Sequence, residues 1–213
     1  MSPSLLEAPD GAKACYVFAH GAGAGMRHSF MAALAQALAA RGIATLRFNF
    51  PFMEQGSKRP DPPAVAHVAV RAAVAEAAAR LPGLPLFAGG KSFGGRMTSQ
   101  AQALEPLPGV KGLVFVGFPL HPAGKPSVER AKHLADVKLP MLFLQGTRDA
   151  LADLDLVRAT TQHLGPLATL HVVDGADHAF HVLARSGRKD AQVLEELADT
   201  MAAWMSSRAL GLS

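Results

Sequence analysis

The sequence predicts an α/β fold: a doubly wound, mostly parallel sheet of about six strands, filling one domain over residues 1–213. Two observations carry this. Short apolar runs alternate along the chain with longer segments of helical periodicity, and parallel strands need such crossovers because the chain must return over the sheet before the next strand can pair. The residues whose chemistry stands out all follow apolar runs, and in open α/β sheets ligands bind beyond the carboxyl ends of the strands. With 213 residues, of which 49% are hydrophobic, the chain can bury one sizeable core.

The elements follow in order. Cys15 to Ala19 reads as a buried strand feeding the glycine-rich loop His20-Gly21-Ala22-Gly23-Ala24-Gly25. Phe30, Leu34 and Leu38 recur at helical spacing in an alanine-rich segment that stops at Gly42. Ile43 to Phe48 is the second strand, and Asn49 to Pro63, rich in prolines and mixed charges, is an irregular loop. Ala64 to Leu81 is a helix closed by Pro82-Gly83, and Leu86 to Ala88 a strand leading into Gly90-Lys91-Ser92-Phe93-Gly94-Gly95 and a helix over Arg96 to Leu104. Gly112 to Val116 is the fourth strand, Phe118 to Lys125 a loop, and Ser127 to Ala135 a short helix. Met141 to Gln145 and Thr169 to Val173 are the last two strands, separated by a helix carrying Leu154, Val157 and Leu164. A final helix shows Val193, Leu197, Met201 and Trp204 on one face.

Composition excludes several classes. Met1 to Ala14 has no basic, apolar leader, and no apolar run approaches the roughly eighteen residues of a spanning helix; a cytoplasmic protein with no membrane partner is expected. Cys15 is the only cysteine, which rules out an intramolecular disulfide and any multi-cysteine metal site. The net charge of +4 is spread thinly, with 18% charged residues and 6% aromatics, so no nucleic-acid partner is expected.

Ser92 falls at the turn between a strand and a helix, within the motif G-x-S-x-G, so it is a candidate nucleophile elbow. Strand and helix nearly touch at such a turn, and Gly90 and Gly94 stand two residues either side of Ser92 without bulk. A phosphate-binding loop would need a glycine where Pro85 stands. A small-residue turn without chemistry is the other reading, and the rest of the chain decides. A serine hydroxyl needs a base to take its proton and a carboxylate to orient that base. The chain supplies Ser92, Asp149 and His178, each after a strand. An oxyanion hole then needs the backbone N–H of Phe93 and a second donor from the early loop, for which Ala22 is favoured.

Together these stretches, with Arg47-Phe48-Asn49-Phe50-Pro51-Phe52-Met53-Glu54, Gly146-Thr147-Arg148-Asp149 and Asp177-His178-Ala179-Phe180, resemble the α/β-hydrolases. The similarity is to small, lidless members grouped with dienelactone-hydrolase-like proteins, and to a family that includes members of chromatin complexes. It implies a serine hydrolase cleaving a small carboxylic ester or thioester through an acyl-enzyme, with a catalytically silent scaffold as the alternative. Dienelactone hydrolases proper use cysteine where Ser92 stands, so their substrate does not carry over. Relative to larger relatives the sheet is expected to lack its first antiparallel pair.

Other roles compete for several of these residues. Asp149 could cap the following helix, with Asp153 and Asp155 as rival acids, and His181 rivals His178. His20 and Gly21 are candidates for the substrate cleft, although His20 is better suited to holding its loop by hydrogen bonds; His121 is a candidate substrate contact. Lys91, Arg47 and Arg96 could line the mouth or be solvated. No metal site and no cofactor are called for. With only Phe118 to Pro140 between the fourth and fifth strands there is no room for a cap. The cleft is therefore expected to be open, walled by the loops Asn49 to Pro63 and Phe118 to Lys125, and suited to small acyl groups.

Overall fold

A computed structural model describes residues 3–211; the expected domain limits at residues 1 and 213 lie outside the described residues. One sheet of seven strands runs through the molecule in the order β1-β3-β2-β4-β5-β6-β7. β2 (Ala14–Ala19), β3 (Ile43–Phe48), β4 (Leu86–Lys91), β5 (Val110–Val116), β6 (Met141–Gly146) and β7 (Ala168–Val173) are mutually parallel.

The sheet is mostly parallel as expected, with one strand more than the approximate six: β1 (Ser4–Glu7) pairs antiparallel with β3 in the register Leu5↔Arg47 and Glu7↔Thr45, so the antiparallel partner the sheet was expected to lack is present. Four half-buried residues give too little alternation to announce a strand. The exposed edge of β3 selects it, and Glu7 adds an ion pair to Arg47 at 3.3 Å.

Two helical layers cover the sheet. α1 (Ser29–Ala39) and α6 (Asp190–Ala209) lie on one face, where Met31, Leu34, Val193, Leu197 and Met201 pack on Tyr16, Phe18, Phe87, Val114 and Leu142. α3 (Pro63–Arg80), α4 (Phe93–Leu104) and α5 (Leu154–Leu164) cover the other, where Val70, Val74, Met97 and Val157 meet Cys15, Val17, Leu46 and Phe115. β2 shows the cause most plainly: Ala14, Tyr16 and Phe18 point to the first face and Cys15, Val17 and Ala19 to the second, all buried, as a strand covered on both sides requires. Burial pushes the Cys15 thiol up to about 12, against a hydrogen bond from the Leu46 backbone.

Two connections differ from expectation. The Asn49 to Pro63 loop contains a single helical turn, α2 (Pro51–Glu54), started by Pro51, whose fixed φ suits a first helical position. The short helix expected over Ser127 to Ala135 is a 3-10 helix over Glu129–Asp136. None of the helices is long and apolar enough to cross a membrane, among the described residues.

Candidate active site

The strand-to-helix turn after β4 places Ser92 at φ 49°, ψ −115°, a left-handed backbone unusual for a residue with a Cβ. Such strain costs about 1–3 kcal/mol and survives only where the surroundings over-determine it. Here they do. The Ser92 N–H donates to Val116 O at 3.1 Å and the Ser92 carbonyl accepts from Arg96 N at 3.2 Å. A Cβ on Gly90 would lie 2.5 Å from Ala19 O, and one on Gly94 2.5 Å from His20 O and 2.6 Å from Ala19 O, so only glycine lets β2, β4 and α4 approach this closely.

The structure brings Ser92, His178 and Asp149 into one hydrogen-bonded chain. His178 Nε2 lies 2.8 Å from Ser92 Oγ and Nδ1 lies 2.7 Å from Asp149 Oδ2. The Asp149 side chain is fully enclosed, yet its carboxylate accepts from Gln145 Nε2 at 2.6 Å and from Leu151 N at 2.8 Å as well as from His178. Three donors compensate the buried charge, as burial demands. The rival roles separate cleanly in space: Asp153 caps α5, accepting from Asp155 N and Leu156 N, while His181 pairs with Asp190 at 2.6 Å. Gln145 was missed as a functional residue. It is the one polar side chain in the otherwise apolar strand Met141–Gly146, which was the signal available.

Hydrogen bonds to side chains tie down the loop carrying His178. Asp177 Oδ1 accepts from Ala179 N and His181 N, both at 2.9 Å, Asp190 Oδ1 accepts from Val182 N, and Phe180 takes φ 66°. Lys91, half-buried, donates from Nζ to the His178 carbonyl and faces the rings of Phe180 at 5.1 Å and Phe30 at 5.7 Å. Enclosure pushes its pKa down to about 8, against the pull of the Asp149 and Asp177 carboxylates.

Phe93 opens α4 directly after Ser92, and first-turn N–H groups have no acceptor within their own helix. Gly21 and Ala22 line the same groove as Ser92 and His178. Their loop is anchored from below by His20, a wholly buried ring whose Nδ1 lies 2.7 Å from Gly21 O and whose Nε2 accepts from Phe50 N at 3.0 Å. Burial lowers the His20 pKa, opposed by the Gly21 carbonyl and by Asp61 and Glu54. At the far end Met26 N donates to Asn49 Oδ1 at 2.8 Å. His20 therefore does not contact the cleft. Nor does His121: its buried ring lies 2.8 Å from Pro122 O through Nδ1 and accepts from Asp153 N through Nε2, so both nitrogens serve the chain itself.

The walls of the cleft also differ from expectation. The loops Asn49 to Pro63 and Phe118 to Lys125 do not line it. A groove of about 770 Å³ starts at Ser92 and runs between the first turns of α1 and α6, with Phe30, Met31, Ala33, Ala191 and Leu194 along its sides and Phe180 stacked on Phe30 at 6.1 Å. Among the described residues no three His, Cys, Asp or Glu side chains cluster as a metal site would need.

Solved structures share this architecture. An alpha-beta serine hydrolase homologue from Coxiella burnetii is 21% identical with a TM-score of 0.74, covering 94% of this chain and 89% of its own. A dienelactone hydrolase from Anabaena variabilis is 22% identical with a TM-score of 0.72, over 94% and 89%. An α/β serine hydrolase without a lid from Xanthomonas campestris is 22% identical with a TM-score of 0.72, over 94% and 88%. At these identities they speak for the fold, a minimal α/β-hydrolase sheet without a cap. The sequence goes further: residues 12–206 match the family of the alpha/beta hydrolase domain, and the chain belongs to that family.

Proposed function

We propose that the protein hydrolyses a carboxylic ester or thioester through an acyl-enzyme on Ser92. The observation that supports this reading is the unbroken chain from Asp149 to His178 to Ser92, at 2.7 Å and 2.8 Å, on a turn that presents the hydroxyl to a groove. His178 takes the Ser92 proton as Oγ attacks the carbonyl carbon, and Asp149 holds the tautomer with Nδ1 protonated and Nε2 free to accept. The carbonyl oxygen becomes an oxyanion held by the N–H groups of Phe93 and Ala22. His178 returns the proton to the leaving alcohol or thiol, and water, activated in the same way, releases the acid. The reaction needs no cofactor, no metal and no macromolecular partner.

Turnover of p-nitrophenyl acetate and butyrate by wild type and Ser92→Ala tests it. Removing the nucleophile should cost several orders of magnitude, leaving what the oxyanion hole and binding supply; equal rates in the two proteins would end the assignment. The alternative, a silent scaffold, predicts no reaction with a fluorophosphonate probe, whereas Ser92-dependent labelling removes it.

A further inference from the structure

The groove carries more than the serine. Its sides are methyl, methylene and aromatic surface from Ala22, Phe30, Met31, Phe180 and Leu194, and it is continuous with Ser92. Each ionisable group along it is already engaged. The Lys91 ammonium is held by the His178 carbonyl and two aromatic faces, Asp190 by His181 and by Val182 N, and the His28 ring accepts from Phe30 N at 3.3 Å. A charged substrate chain entering here would lose water and find no unpaired partner, which is unfavourable. An apolar chain would give up no hydrogen bonds to water and would bury surface.

Resting on the hydrolase reading above, we infer that the substrate is an uncharged ester bearing a medium-length apolar chain, seated between α1 and α6, with Leu194 and Ala191 setting how long that chain can be. The volume, about 770 Å³, belongs to sites that hold ligands far larger than an acetyl group. The chain could be on the acyl or the alcohol side of the ester; the chemistry that recognises it is the same. Because the groove is open on one side, each methylene gains about half of the full burial value, roughly a factor of two in kcat/KM. Over the six methylenes separating an octanoyl from an acetyl ester, that is roughly sixtyfold.

The test compares methyl acetate, methyl octanoate, octyl acetate and monomethyl suberate, all below their aggregation limits, with acid release followed in a pH-stat. Methyl octanoate, octyl acetate or both should exceed methyl acetate by tens of fold, the pattern telling which side of the ester the groove receives, and monomethyl suberate, whose far end is a carboxylate, should fall well below methyl octanoate. Ala191→Trp places bulk at an exposed position of the groove wall and should erase the long-chain preference, bringing the ratio of long-chain to methyl acetate kcat/KM close to one; Leu194→Trp is the second variant. Long and short esters turned over alike, or a suberate ester preferred, would overturn the inference. A separate arm titrates methyl octanoate into Ser92→Ala by calorimetry, with and without Ala191→Trp. If wild type cleaves no ester, the hydrolase reading falls and this arm alone decides: saturable binding weakened by the tryptophan supports the apolar groove, and no binding refutes it.

Discussion

Replacing Asp149 by asparagine exchanges one carboxylate oxygen for an NH2 group and reverses the logic of the site. The carboxylate receives three donors, from Gln145 Nε2, Leu151 N and His178 Nδ1. In one orientation the new amide NH2 faces both Gln145 and His178; in the other it faces the Leu151 N–H. Gln145 cannot turn its amide to help, because its Oε1 already accepts from Phe118 N at 3.2 Å. The relief open to His178 is to move its proton to Nε2, which then points an N–H at Ser92 Oγ and can no longer take the serine proton. In the serine-protease template the equivalent change costs about four powers of ten in kcat, or about 5.5 kcal/mol of transition-state stabilisation at about 1.4 kcal/mol per tenfold. A buried donor left without an acceptor adds about 1–3 kcal/mol of lost stability, a fall in Tm of several degrees for a chain of this size. Steady-state kinetics with p-nitrophenyl butyrate and a thermal melt measure both. A folded Asp149→Asn protein retaining kcat within about tenfold of wild type would refute the argument that this carboxylate sets the tautomer.

Three further outcomes are expected. Gly94→Ala drives a Cβ against the backbone of Ala19 and His20, atoms that no side-chain rotation can move, so a loss of about 3 kcal/mol or more should lower Tm by roughly 6–12 °C; a change under about 2 °C in a circular-dichroism melt would contradict the close approach. His133, 2.7 Å from Ser99 Oγ, has its pKa lowered from 6.5 to about 4 by burial first and then by Arg96 and His67, so its contribution is complete above 6.5 and lost as pH falls from there to about 4. Allowing for its partial exposure, His133 should account for about 2 kcal/mol of the stability lost between pH 7.5 and 4.5 in urea titrations, so that the loss is smaller by about that amount in His133→Gln. Asn49→Ala strips Met26 N of its acceptor and should lower kcat by roughly tenfold to a hundredfold through the slackened oxyanion loop, with KM little changed; a large rise in KM with kcat constant would place Asn49 in binding instead.

Much of this molecule was legible from short-range pattern. Glycines at fixed offsets around Ser92, and polar clusters after each apolar run, name the residues the fold brings together, because in a parallel sheet every strand delivers its carboxyl end to the same rim. What escaped is set by long-range geometry. β1 is selected by the free edge of β3, and nothing within Ser4–Glu7 announces it. The groove walls come from the first turns of α1 and α6, which lie far apart in sequence and meet only across the sheet face. His121 borders the site in sequence yet turns both ring nitrogens inward, and Lys91 exchanges solvent for the His178 carbonyl and two rings. In each case the residue type was visible, while the direction of its side chain depended on neighbours that sequence spacing does not reveal.

Cys15, closed between β2 and the helices beyond it, gives the protein a practical property. With the thiol buried and its pKa at about 12, almost no thiolate exists at working pH, and the native chain should be silent to aromatic disulfides and maleimides. A single cysteine introduced on the groove wall, for example by Ala191→Cys, is then the one reactive sulfhydryl in the folded protein, so a fluorophore placed there reads groove occupancy without background. Unfolding announces itself as a second titratable thiol, and the same reagent counts both.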